Sequence, residues 1–88
     1  GGRDALRRLP VLHADAQIAA VAEQYGLPLP EEAAGLTLEE FLVLKLRGKP
    51  VVGDRVRLGK LEFVVRTIEA GHVRLVGLRI PTHLDDAT

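Results

Sequence analysis

Apolar and polar positions change their period along this chain of 88 residues, first helical and then alternating. Pro10-Val11-Leu12-His13 reads as a short extended piece, because proline is tolerated at the start of a strand. Ile18, Val21, Ala22 and Tyr25 then recur at i, i+3, i+4 and i+7, the repeat of one helix face. Asp15 is placed to cap this helix, since its carboxylate can accept from the free amides of a first turn. Gly26 is placed to stop it, with Pro28 and Pro30 beyond. Glu31 to Gly35 forms a connector. A second helix is predicted from a capping box, Thr37 with Glu40 three residues on. Leu38, Phe41, Leu42 and Leu46 supply its buried stripe, which Val43 and Leu44 are expected to widen. Lys45 and Arg47 suit the negative end of the helix dipole, and Gly48 is expected as the C-terminal stop before Pro50.

After Gly53-Asp54 the period falls to two. Gly59-Lys60 and Ala70-Gly71 read as two-residue hairpin loops joining three antiparallel strands. The first loop opposes Leu58 to Leu61 and Val56 to Phe63. The second opposes Ile68 to Val73, Val65 to Val76, Phe63 to Leu78 and Leu61 to Ile80. Directly opposed residues share a face. One face therefore collects Val56, Leu58, Leu61, Phe63, Val65, Val76, Leu78 and Ile80. The other carries Arg55, Arg57, Glu62 and Arg79, with Glu62 opposed to both Arg57 and Arg79. Beyond Val65 the parity breaks. Ile68, Val73 and Leu75 fall on the charged side, so the hairpin tip is expected to twist, bulge or pack against something else.

Composition narrows the function classes. The chain has no cysteine, which excludes disulfides and thiolate zinc sites. Its formal charge is zero, whereas a nucleic-acid binder usually carries a clear positive excess. No apolar run approaches the roughly 20 residues of a membrane span, and no signal peptide opens the chain, so a soluble piece is expected. That leaves a parent protein open.

Candidate chemistry is sparse. Without Ser or Cys, the hydroxyls are those of Tyr25, Thr37, Thr67, Thr82 and Thr88, and no Ser/His/Asp or Cys/His set can form. The carboxylate pairs Glu31-Glu32, Glu39-Glu40 and Asp85-Asp86 diverge from adjacent positions and read as solvated surface. His13 near Asp15, His72, and His83 near Asp85-Asp86 are not placed together by any spacing, so no metal is expected. Neither Gly48-Lys49-Pro50 nor Val52-Gly53-Asp54 has the spacing of a phosphate loop, and no cofactor is expected. What stands out is charge separation. Arg55, Arg57, Lys60, Arg66, Arg74 and Arg79 crowd the strands, while Glu23, Glu31, Glu32, Glu39 and Glu40 lie in the helical half. Arg55, Arg57 and Arg79, on the polar strand face, are the candidate ligand or partner surface.

Three strings then carry a family likeness: Tyr25-Gly26-Leu27-Pro28-Leu29-Pro30, Leu36-Thr37-Leu38, and Gly48-Lys49-Pro50-Val51-Val52-Gly53-Asp54-Arg55-Val56-Arg57-Leu58-Gly59. Together they resemble the CorC/HlyC-type transporter-associated domain over about Val11 to Ile80. The opening Val11-Leu12-His13-Ala14-Asp15-Ala16 is similar to that of the domain at the end of NhaP-type potassium/proton antiporters. It lacks the Asp-Gly-Ser-Trp-like strand typical of the magnesium/cobalt efflux proteins with paired CBS modules, which are the alternative context. The resemblance implies an α+β fold: two short helices packed on one face of a small antiparallel sheet, the three-stranded meander plus a short N-terminal edge strand. Residues 1–10 would be a linker, 11–80 the domain and 81–88 a mobile tail. It also implies a non-catalytic regulatory or interaction domain on the cytoplasmic face of the bacterial inner membrane. The partner would be the membrane portion of the parent transporter, with a small ligand or ion and a homodimer through a sheet edge as further expectations. A small nucleic-acid-binding β module is the rival from another class.

Overall fold

Three residues of strand, Val11–His13 (β1), lead into helix α1 (Ile18–Tyr25), a 3-10 turn (Glu31–Ala33) and helix α2 (Leu38–Leu46). Strands β2 (Arg55–Leu58), β3 (Leu61–Glu69) and β4 (His72–Arg79) follow. The computed structural model describes residues 10–80, so the expectations for the linker and the tail lie outside the described residues, apart from Pro10.

Both helices are too short to persist alone, and each is held at its N-terminus by the other's lead-in. The Ile18 amide donates to Leu36 O at 3.0 Å, while the Leu38 and Glu39 amides donate to Ala16 O and Ala14 O at 2.8 and 2.9 Å. Gln17 and Thr37 are thereby bridged. At α2 the capping box is present as expected: Thr37 N–H donates to Glu40 Oε1 at 2.8 Å, and Glu40 N–H to Thr37 Oγ1 at 3.1 Å. At α1 the expectation is corrected. Its N-cap is Gln17, with no side-chain cap, and Asp15 lies exposed in the preceding turn. Backbone pairing with Leu36 supplies a partner that a capping carboxylate would otherwise provide.

The C-terminal ends differ in the same way. Gly26 ends α1 in the left-handed region at φ 67°, and Leu27 N–H reaches back to Ala22 O at 2.8 Å, as in a Schellman motif. At α2 the left-handed residue is Arg47, φ 61°, one position before the expected Gly48. Its amide closes on Val43 O at 2.8 Å.

The sheet order is β1-β4-β3-β2, entirely antiparallel, with β1 on one edge as expected. The pairs Leu58–Leu61, Val56–Phe63, Phe63–Leu78, Val65–Val76 and Ile68–Val73 all form. The broken parity is resolved by two register shifts between Val65 and Ile68. They set Arg66 and Arg74 out of the pairing, so Val73 is buried and Ile68 packs against the core, while Leu75 stays on the outer face opposite Thr67 and His13. The pairing of Leu61 with Ile80 is not among the ladder's partners, which end at Glu62–Arg79; Ile80 lies past the strand end and is 43% exposed.

The inner face meets the helices. Phe41 of α2 and Phe63 of β3 are both fully buried and touch edge to face, ring centroids 6.1 Å apart. Ile18, Val21 and Ala22 of α1 complete the core, and no polar or charged side chain is buried among the described residues. Val43 and Leu44 do not widen the buried stripe of α2. They face outward, 39% and 47% exposed, because Leu38, Phe41 and Leu42 already fill the space above the sheet.

Two substitutions test this account. Gly59 has φ 61°, and a Cβ there would sit 2.4 Å from Cδ of the Pro28 ring. Gly59→Ala is expected to cost about 2–4 kcal/mol from strain plus overlap, read as a lowered urea midpoint at unchanged m-value. Arg47→Gly relieves a left-handed non-glycine residue at an exposed position. It is expected to gain about 0.5–1 kcal/mol in the same assay, less than the full strain because the unfolded chain also gains freedom.

Candidate interaction surface

Strand alternation sends Arg55 and Arg57 of β2 to the sheet face opposite the helices, because Val56 and Leu58 between them are buried. Pairing then aligns Arg57, Glu62 and Arg79 in one row across β2, β3 and β4. Arg79 Nε lies 3.2 Å from Glu62 Oε1, and Arg57 Nε donates to the Gly59 carbonyl at 3.2 Å rather than to Glu62. A second row runs Arg55, Val64, Gly77, Val11. The structure thus brings Arg55, Arg57 and Arg79 onto one face that no described element covers.

Sequence patterning placed Arg66 only among the strand cations. It shares the parity of Glu62 and Val64 and lies over this face, where an added Cβ on Gly77 would meet Arg66 Cδ at 3.3 Å and Nη1 at 3.4 Å. Gly77 leaves room for that aliphatic stem, an arrangement in which arginine covers apolar surface while its head stays wet. Charge is separated accordingly. Residues 14–50 hold six carboxylates against three cations, a net of −3; residues 51–80 hold three carboxylates against six cations, a net of +3. The formal neutrality of the chain conceals this dipole.

The hairpin tip gathers different chemistry. A cleft of about 210 Å³ is lined by His13, Asp15, Glu39, His72, Val73 and Arg74. Glu39, expected to be merely solvated, joins α2 to β4: its Oε2 accepts from Val73 N–H at 2.9 Å and lies 3.2 Å from His72 Nδ1. The signal that could have found it is positional, since Glu39 is N2 of a helix that must pack beside the β3–β4 loop. Arg74 leans to Glu69, Nε to Oε1 3.6 Å. Among the described residues no three His, Asp or Glu side chains converge to hold a metal ion. His83, Asp85 and Asp86 lie outside the described residues. On the far side of Glu39 a shallow groove of about 570 Å³ runs between α2 and the Gly48–Pro50 loop, with exposed Val43 as part of its wall.

The family model described as the transporter-associated domain, CorC_HlyC, matches residues 10–82. The K(+)/H(+) antiporter NhaP2 of Shewanella baltica is 35% identical over 71 residues, which cover 81% of this chain and 12% of the antiporter. The K(+)/H(+) antiporter NhaP of Alkalimonas amylolytica is 33% identical over 70 residues, 78% of this chain and 12% of that protein. The chain therefore spans only 12% of the length of these relatives. Among solved structures, a CorC_HlyC domain from Haemophilus ducreyi superposes with TM-score 0.75 at 16% identity, over 83% of this chain and 96% of that one. A putative Mg2+ and Co2+ transporter (CorC) associated region from Neisseria meningitidis gives TM-score 0.70 at 22% identity, over 81% and 86%. These two likenesses speak for the fold alone.

Glu39→Ala would leave the part-buried Val73 amide without its acceptor. The expected cost is about 1–2 kcal/mol, measured as a shift in urea midpoint, with Glu39→Gln recovering most of it because the amide oxygen can still accept.

Proposed function

This chain belongs to the transporter-associated domain (CorC/HlyC) family, and we propose that it serves a bacterial potassium/proton antiporter as a non-catalytic regulatory module on the cytoplasmic face of the inner membrane. The antiporter context is favoured because the sequence relatives at 33–35% identity are antiporters, whereas the likeness to the magnesium/cobalt transporter region is one of fold. No helix among the described residues is long and apolar enough to cross a membrane. The transport path would therefore be built by other parts of the parent protein.

The observation that carries the reading is the sheet face, free of any described element, that holds Arg55 and Arg57 on one strand and Arg79 two strands away. A module of this kind biases transport only if it binds two states of the membrane portion with different affinity. A charged face that docks in one state and is released in the other meets that requirement. We place the contact with the membrane region on the face and not on the β2 edge. A symmetric antiparallel β2–β2 contact centred on Val56 would oppose Arg55 to Arg57 of a second copy, and like charges opposed across strands destabilise pairing. Nucleic acid fits this face poorly: Phe63 is fully buried on the other side, so it offers no stacking platform.

The test is cation/proton exchange in membrane vesicles by the full-length parent transporter, intact, with this domain deleted, and with Arg55, Arg57 and Arg79 changed together to Glu. Both changes are expected to leave exchange active and to move the half-saturating cation concentration about fivefold or more. An unchanged cation dependence in the deletion would refute the regulatory role.

A further inference from the structure

The open face carries more than the three arginines named above. Arg66 adds a fourth, laid over Gly77 between β3 and β4. We propose that this face rests on anionic phospholipid headgroups beside the parent transporter, with the guanidinium groups of Arg55, Arg57, Arg66 and Arg79 taking the headgroup phosphates. The inference rests on the reading of the chain as a module of a membrane transporter, which supplies the nearby bilayer.

Four features point to lipid. First, the face is a side of a four-stranded sheet that is open among the described residues, and Arg57 and Arg79 stand two strand spacings apart, roughly 10 Å, so several headgroups can be met at once. Second, its balance is four guanidiniums against the single carboxylate of Glu62. Glu62 is paired with Arg79, and among the described residues neither Arg55 nor Arg66 is matched to a carboxylate. Third, short aliphatic side chains lie beside the arginines: Val64 is half-buried in the row of Arg55, Leu75 is half-buried in the next row, and Val11 is 46% exposed on the bordering edge strand. Long cationic side chains beside short aliphatic ones suit the boundary between headgroups and water, where arginine stems lie along apolar surface and planar forks hold phosphate. Fourth, the opposite side of the domain is net negative, so a negatively charged membrane attracts one side and repels the other. That dipole selects a single orientation.

The experiment uses the 88-residue chain and sedimentation with vesicles of phosphatidylcholine alone or of a two-to-one mixture of phosphatidylcholine and phosphatidylglycerol. Binding is expected to the mixed vesicles at low salt, to be absent on phosphatidylcholine, and to fade as the Debye length shortens to roughly 8 Å. Arg55→Gln, Arg57→Gln and Arg66→Gln together are expected to lower partitioning about a hundredfold, from the worth of a basic residue near an anionic surface. Lys45→Gln with Lys49→Gln, on the helical side, should change it less than about twofold, being turned away from the bilayer. Circular dichroism checks that each variant is folded. No binding to the mixed vesicles, equal binding to both compositions, or equal loss in the lysine variant would overturn the proposal. The transport assay reads the other reading independently: a deletion effect without lipid binding removes only the lipid contact, and lipid binding without a deletion effect removes only the regulation.

Discussion

The register of the two hairpins is the constraint on which the rest of this domain depends. Leu58–Leu61 and Val65–Val76 pairing puts seven aliphatic or aromatic side chains on one face and Arg57, Glu62 and Arg79 on the other. A shift by a single residue would exchange the faces. It would drive three charges beneath the helices, each costing several kcal/mol after relaxation. No such cost is incurred in the folded chain, whose described core contains no polar side chain. Phe63 is the hinge of the arrangement: it pairs with Val56 and Leu78 within the sheet and meets Phe41 across the layer.

The helices contribute little order of their own and obtain it from each other. Their N-termini share three backbone hydrogen bonds through the Gln17–Thr37 bridge. The connector must therefore bring Leu36 alongside Ile18, and the fully buried Ala33 anchors its 3-10 turn in that course. Pro28, just ahead of this connector, packs against the Gly59 loop. Connector, first hairpin and helix pair are thus a single mechanical unit, although they are distant in sequence. Asp54 plays a similar local part, its Oδ2 accepting from Val51 N–H at 2.8 Å to close the turn that starts β2.

Features set by local chemistry were readable from residues alone. The Thr37–Glu40 capping box, the Gly26 stop, both hairpin loops and the segregation of faces depend on neighbours a few positions away or on strict alternation. What escaped was set by distant backbone. Asp15 looked like a cap, but Leu36 supplies the partner for the Ile18 amide. Gly48 looked like the stop of α2, yet Arg47 takes the left-handed turn because the helix closes one residue earlier. Arg55, Arg57 and Arg79 could be placed on one face by counting. Arg66 continues the parity of Glu62 and Val64, but the register breaks beside it, so its rest over Gly77 could not be read from the pairing. Glu39 was hidden for another reason: its partners His72 and Val73 are more than thirty residues away.

The geometry of β1 has a mechanical meaning. Pro10 O accepts from Leu78 N–H at 3.1 Å, and β1 runs antiparallel to β4, so the two ends of the described chain leave the sheet side by side. Tension applied between them would open the β1–β4 ladder like a zipper, one hydrogen bond after another. A shear load would instead have to break the whole ladder at once. Ile80 follows β4, so the same pull also loads the β3–β4 ladder from its Glu62–Arg79 end, next to the Phe63–Leu78 pair. This corner of the sheet is thus a compliant joint rather than a rigid strut.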